Sequence, residues 1–411
     1  MTQRRIVITG MGAISPFGVG IECLWEHLEA GATAVREILP SDRPGGMRSH
    51  VAATIPPIDS SAIDRKKRRF MSPMSIYSTL AALEAIHQAG LTAEHISGRR
   101  LGLSLASTMG STQESESFFG EMLRSGSMEQ IKSTMFFKTM NHSCAANTAQ
   151  ALGVQGRILA PSAACASGNL AIGLGYEAVQ TGRQDIMICG GADEYHPLMT
   201  MVFDIMNAAS IKYNHRPELT PRPFEVERDG VVCAEGAGIL ILEELRHAQQ
   251  RNATIFAEII GFSTLSSPDD LANPDTETMV DCMLESLRQG QIGSEQIDYV
   301  NAHATATERG DIAEGKAIEA VFGRAVPVSS LKGHLGHTMA ASGALELIAS
   351  IQSMQHKVLL ATRNLEYPDE RCGNIDHVRK NRAQTITSVL KNSFALGGIN
   401  STLIIRRYMN D

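Results

Sequence analysis

Residues 161–182 read PSAACASGNLAIGLGYEAVQTG. The apolar segment 157–160 ahead of them reads as the end of a strand, and the run rich in Ala, Gly and Leu behind them reads as a helix. Cys165 therefore stands at a strand-to-helix corner, among small neighbours that let a substrate backbone come close. The unpaired amides of a first helical turn point at such a position, and their field favours thiolate over thiol. The plainer reading is a small buried apolar cysteine. What separates the two readings lies far downstream.

The chain of 411 residues is long enough for one large or two fused domains, and with 43% hydrophobic and 20% charged residues it reads as globular. Its seven cysteines show no CxxC pairing, which points to a reducing compartment rather than a disulfide framework. The apolar run near the start is too short for a signal peptide or a membrane span, so the expected location is the cytoplasm. A net charge of -7 argues against a broad nucleic-acid footprint. Against that background residues 64–69, DRKKRR, stand out. Such a run is either a solvated face or a docking patch for an acidic partner.

Residues 5–9 read as a buried strand with a turn at Gly10-Met11-Gly12. The turn echoes a dinucleotide fingerprint, but Ser15 and Pro16 occupy the place of the third glycine and the helix. Residues 75–88 have helical spacing, with Ile76, Leu80, Leu83 and Ile86 as the apolar face. Further strands are expected at 100–106, 185–191, 239–242, 254–260, 297–302, 326–329, 385–389 and 401–406, with helices between most of them. This alternation predicts α/β layering with mostly parallel pairing. Residues 158–179 and 326–351 share a faint pattern of strand, small residues and helix, which suggests a duplicated unit. The halves divide as 1–253 and 254–411.

Two histidine segments accompany Cys165. One is NAHATATERGD, residues 301–311; the other is LKGHLGH, residues 331–337. Each runs from a strand end toward a helix, and in an α/β sheet such ends gather on one edge, where active sites form. Metal ligation by Cys165, His303, His334 and His337 is conceivable by residue type, but no CxxC or HExxH spacing supports it, and no metal is expected.

Taken together, SAACASG around Cys165, the two histidine segments, ITGMGAISPFG, GMRSHV, RPFEVERDGVVCAEGAG, LKGHLGHTMAASG and KNSFALGGINSTL resemble the elongating β-ketoacyl-ACP synthases (types I and II). The resemblance spans essentially the whole chain. It implies a thiolase-like fold of two duplicated halves in five αβαβα layers. It also implies decarboxylative condensation of an acyl chain with malonyl-ACP, without a cofactor. By resemblance Cys165 carries the acyl group, and His303 and His337 hold the malonyl thioester carbonyl. Lys332 stands behind them, paired with Glu314. Thr305 and Thr307 hold the phosphopantetheine arm, and the backbone N–H groups of Cys165 and Leu396 form an oxyanion hole. Residues Phe394, Ala395, Leu396, Gly397 and Gly398 form a gating loop. Arg65, Lys66 and Arg69 fall where the family docks its acyl carrier protein, and a dimer is expected.

Departures from the family pattern concentrate in two places. HGTxT is here His303-Ala304-Thr305-Ala306-Thr307, and SFGFGGTN is here SFALGGIN, residues 393–400. Leucine thus replaces a gating phenylalanine at 396, and alanine a glycine hinge at 395. These changes suggest a specialised synthase for rigid acyl chains such as (aryl) polyenes. A degradative thiolase would need a second cysteine near the end, and an initiating synthase an Asn at position 337. A non-catalytic chain-length-factor subunit would lose Cys165, although the chain could be the active half of such a pair.

Overall fold

In the computed structural model, which describes residues 4–129, 131–268, 270–323 and 326–409, the first half of the chain contributes, besides the two-residue strand Gly18–Val19, five strands to one sheet. They are β1 (Ile6–Ser15), β2 (Leu101–Ala106), β3 (Ile158–Leu159), β4 (Ile186–Asp193) and β5 (Gly236–Glu244). The second half contributes β6 (Ala257–Ser266), β7 (Tyr299–Asn301), β8 (Pro327–Ser329), β9 (Ser388–Phe394) and β10 (Ile399–Arg406). Outward from the centre the orders are β1-β5-β4-β2-β3 and β6-β10-β9-β7-β8, the second continued beyond β8 by the two-residue strand Asp376–His377. Both halves thus follow one plan: first strand, fifth, fourth, second, third. The two are joined where β1 pairs antiparallel with β6, Ile6 opposite Ile259. The faint internal echo in the sequence falls on equivalent units, β3 with the helix after it and β8 with the helix after it.

Helices complete five layers. On the outer face of the first half lie α1 (Pro73–Ala89) and α2 (Ser143–Leu152). Between the halves, α3 (Ser167–Gln180) and α6 (Ala341–His356) pack on each other and on strands of both. On the far face lie α4 (Thr276–Gly290) and α5 (Glu308–Phe322). The central position explains the composition of α6: its residues 341–354 are all buried, so small and apolar side chains surround it.

Three expectations need correction. Pairing is not mostly parallel. The outer strands β2, β3 and β4 pair in parallel, as do β7, β8 and β9, but every ladder across the centre is antiparallel. The reason is clearest at β9 and β10, where only residues 395–398 intervene and no crossover fits. Nor do Gly10 and Gly12 make a turn, because β1 runs straight through them. A Cβ at Gly10 would lie 2.2 Å from the Ala85 carbonyl oxygen, and one at Gly12 1.9 Å from that of Ala81. These glycines let α1 sit directly on the strand. For the same reason α1 buries Ser78, Ala81, Ala82 and Ala85, while Ile76, Leu80 and Leu83 are only half-buried.

Candidate active site

Cys165 occupies a single 3-10 turn, Ala164–Ala166, that leads into α3. The residue before it, Ala164, has φ +45°, a left-handed conformation that alanine adopts only when its surroundings hold it there. They do so by close contact. A Cβ on Gly168 would lie 2.0 Å from the Ala340 carbonyl oxygen, and one on Gly191 2.2 Å from the same atom. The start of α3 therefore rests on the backbone just past His337. Asp193, at the end of β4, ties the two sides. It accepts from Ala340 N at 2.8 Å, Ser107 Oγ at 2.6 Å and Thr108 N at 3.0 Å. Sequence reasoning passed over this carboxylate.

His303 directly follows the strand β7 and Ala302. Its backbone N–H donates to Glu314 Oε1 at 2.8 Å, and that of Ala304 donates to Glu314 Oε2 at 2.7 Å. His337 is pinned by its own backbone, which donates to the Val232 carbonyl at 2.8 Å and accepts from Ala234 N at 2.9 Å. The Cys165 Sγ and one ring nitrogen from each of His303 and His337 all lie within 4.8 Å of one another, and all three residues are buried. The imidazoles meet edge to face, centroids 5.3 Å apart. Both ring nitrogens of His337, and Nδ1 of His303, are buried without a hydrogen-bond partner among the described residues. Buried polar atoms left open in this way are suited to a ligand's oxygen. His334 is not part of the group: its ring nitrogens are engaged by the carbonyls of Ala32 and Ala361.

The pairing of Lys332 with Glu314 is overturned. Lys332 Nζ lies 2.6 Å from Glu346 Oε1, and Lys391 Nζ lies 2.8 Å from Glu346 Oε2. Glu314 is occupied by the two backbone amides and by Asn392 Nδ2 at 3.1 Å. Lys332 instead faces α6 in the central layer, where Glu346 stands. Burial opposes ionisation of Glu346, yet Lys332 and Lys391 hold its carboxyl down at about 2. Two ammonium groups against one carboxylate leave a positive charge behind the histidines. This opposes a cation at the three donors, which are otherwise the one His/Cys/Asp/Glu group among the described residues placed to hold a metal.

The same surroundings reverse the expected state of the sulfur. Burial pushes the Cys165 thiol up to about 11, although Lys332 and the backbone N–H groups of Cys165 and Leu396 pull the other way. Burial, then Lys332, presses the His337 imidazolium down to about 3, and His303 falls well below its ordinary value for the same reasons. The resting pair is thus thiol with two neutral imidazoles. Alkylation of Cys165 by iodoacetamide should rise steadily with pH and level off only near the thiol's value of about 11. Peptide mapping across pH reads this directly, and a plateau already reached at neutral pH would show a stabilised thiolate instead.

A cavity of about 600 Å³ opens onto this centre and is lined by Cys165, His303, His337, Thr305, Thr307 and Leu396, among others. Thr305 Oγ1 and Thr307 Oγ1 stand 3.1 Å apart. They converge because Ala306 between them is left-handed, φ +69°, with its N–H held by the buried Asp311 at 3.1 Å. In the loop expected to gate the site, Phe394 is buried, its ring 6.4 Å from that of His303, whereas Leu396 is exposed. Glycine's freedom is used at Gly397 and Gly398, with φ +89° and +74°, and not at Ala395. Alanine at 395 therefore imposes no strain in this conformation. Arg65, Lys66 and Arg69 lie in and beside the short helix Arg65–Arg68, capped by Asp64, and all three point to solvent. Lys67 and Arg68 of the same run turn inward, to the Ala151 carbonyl and Ser60 Oγ. No described helix is long and apolar enough to cross a membrane.

Comparison with known proteins covers both halves. Residues 3–248 match the family model for the beta-ketoacyl synthase N-terminal domain, and residues 256–366 match the one for the C-terminal domain. A 3-oxoacyl-[acyl-carrier-protein] synthase 1 from Haemophilus influenzae is 36% identical over 99% of this chain and 100% of its own length. A beta-ketoacyl synthase from Burkholderia phymatum superposes with a TM-score of 0.96 at 40% identity, covering 99% of this chain and 100% of that one. A type II polyketide ketosynthase solved with its acyl-carrier protein, AntDE:AntF, gives 0.91 at 29% identity, again over 99% and 100%. The likeness therefore covers nearly the whole chain, both histidine segments lying inside the matched C-terminal domain, and the chain belongs to the β-ketoacyl synthase family.

Proposed function

We propose that the protein condenses an acyl chain, held on Cys165, with a malonyl group held on acyl carrier protein, releasing carbon dioxide and a β-ketoacyl carrier. The observation that carries this reading is the meeting of one sulfur and two neutral imidazoles within 4.8 Å. In the first step the Cys165 sulfur displaces the pantetheine thiol from the acyl thioester, and the cysteine's proton ends on that thiol. In the second, the malonyl carboxylate leaves as carbon dioxide and its bonding pair stays on the α-carbon. The charge spreads to the thioester oxygen, where imidazole N–H groups of His303 and His337 receive it. The α-carbon then attacks the acyl carbonyl. The tetrahedral oxyanion is held by the N–H groups of Cys165 and Leu396, and collapse returns the sulfur, which takes up one proton. No electron is gained or lost overall, so the reaction calls for no redox cofactor.

Thr305 and Thr307 line the approach and would hold the pantetheine arm. Arg65, Lys66 and Arg69 have no ion-pair partner among the described residues, in a chain whose net charge is -7. Such a free basic patch suits an acidic carrier protein. A second synthase-like subunit, identical or homologous, fits the edge strand β3, where Ile158 is exposed, and Phe136 and Phe137 are further exposed apolar side chains for such a contact.

The smaller, flexible Leu396 at the cavity rim supports a preference for rigid, unsaturated acyl chains of the aryl-polyene kind. Incubation with malonyl carrier and matched saturated or polyenoic acyl carriers tests both levels, reading carbon dioxide and β-ketoacyl product. Product from either series, with the polyenoic one faster, is expected. Efficient saturated elongation with rejection of polyenes would end the preference, and no product from any acyl chain would end the condensation itself.

A further inference from the structure

Lys391 was not among the residues singled out by sequence, and its placement is unusual. It lies in the middle of β9, opposite Asn301 of β7 and Leu403 of β10, fully buried. Side chains alternate along a strand. The next residue, Asn392, accordingly reaches outward to Glu314 on α5, while Lys391 reaches inward to Glu346 on α6. Its ammonium also donates to the Asn392 carbonyl. Glu346 alone would neutralise Lys332 completely. Burial, above all, lowers the pKa of this second lysine, and contact with Glu346 works against that fall; holding it as an ammonium burdens the fold with uncompensated charge, which proteins ordinarily avoid. That charge stands behind the one place where the proposed reaction builds an anion.

We propose that Lys391 is a positioning residue of the condensation site: it clamps the free oxygen of Glu346, holds Lys332 in place through it, and keeps a net positive charge behind the paired imidazoles. This rests on the condensing reading given above. The groups facing His337 are Cys165 from the corner before α3, His303 after β7, Lys332, Glu346 from α6 and Lys391 from β9. Of these, Lys332 and Lys391 disfavour its protonation and Glu346 favours it. With Lys391 gone, Glu346 and Lys332 cancel, the imidazoles accept protons more readily, and a protonated ring alters the charge presented to the malonyl group.

The test uses the full-length protein and Lys391→Met, with Lys391→Arg as the charge-retaining control. Three readings are taken on each: acylation of Cys165 by an acyl carrier, carbon dioxide release from malonyl carrier, and the pH profile of that release. Lys391→Met is expected to slow release by roughly tenfold to a hundredfold in kcat and to move its acid limb toward neutrality by roughly one pH unit. Acylation should change little, and Lys391→Arg should restore most of the loss. Unchanged release with an unchanged acid limb would overturn the inference. So would loss of acylation in step with release, which marks a merely structural lysine. A native protein that neither acylates nor decarboxylates would fail at the reading beneath, and is distinguished by that.

Discussion

Replacing Cys165 with alanine will abolish the acyl adduct and lower condensation by at least roughly ten-thousandfold, the scale seen when a nucleophile acting within a concerted unit is removed. No neighbour can take over. Cys233 packs in the same apolar cluster, but it is buried and burial, above all, pushes its thiol up to about 12. The substitution itself is mild: it deletes one buried sulfur, and the left-handed Ala164 and the Gly168 contact that shape the corner remain. Carbon dioxide release from malonyl carrier should continue in the variant, because the imidazoles and the two lysines behind them are intact. Intact-mass analysis and a carbon dioxide assay on one preparation read both halves. Loss of release together with condensation would mean that the sulfur, and not the histidine pair, organises the malonyl site.

Replacing His337 with alanine should give the complementary pattern. Its ring nitrogens have no hydrogen-bond partner among the described residues, and the proposed enolate oxygen is what they would serve. Removing one preorganised donor of this kind lowers the rate by roughly a hundredfold to a thousandfold. Release of carbon dioxide and condensation should both fall on that scale while acylation of Cys165 persists. The charge state gives a second check. With its pKa lowered to about 3, His337 is neutral throughout the physiological range and is a donor by its N–H, not by a positive charge. A histidine near its ordinary value would lose half its protons around neutrality, whereas here the native release rate should stay flat from about pH 6 to about pH 8. An acid limb centred near the ordinary histidine value would contradict the assignment.

What could be read from sequence was the set of corners; what could not was the layer between the halves. Cys165, His303 and His337 are marked by small residues at strand ends, a local signal, and the structure brings these three together as expected. Glu346 and Lys391 give no local signal of that kind. Glu346 stands in a helix of small residues that could have lined one side of a sheet, and its burial on every side follows from packing between the two halves. A carboxylate in a helix that turns out to be fully enclosed demands a cation, but which lysine answers depends on the register of β9. The strand was expected at 385–389, which left Lys391 outside it, whereas β9 runs through Phe394. The raised thiol value has the same origin. A helix start favours thiolate in open surroundings, and only the enclosed packing reveals that desolvation outweighs it.

One cysteine that receives the acyl chain and surrenders it to carbon is the centre of the proposed reaction. Intact-mass analysis followed by peptide mapping tests that most directly. The protein is loaded with an acyl carrier, freed of it, and then chased with malonyl carrier. The expected result is a single acyl increment on Cys165 that disappears during the chase as β-ketoacyl carrier forms, one carbon dioxide per adduct lost. An increment on another residue, or an adduct on Cys165 that the malonyl carrier does not discharge, would contradict it.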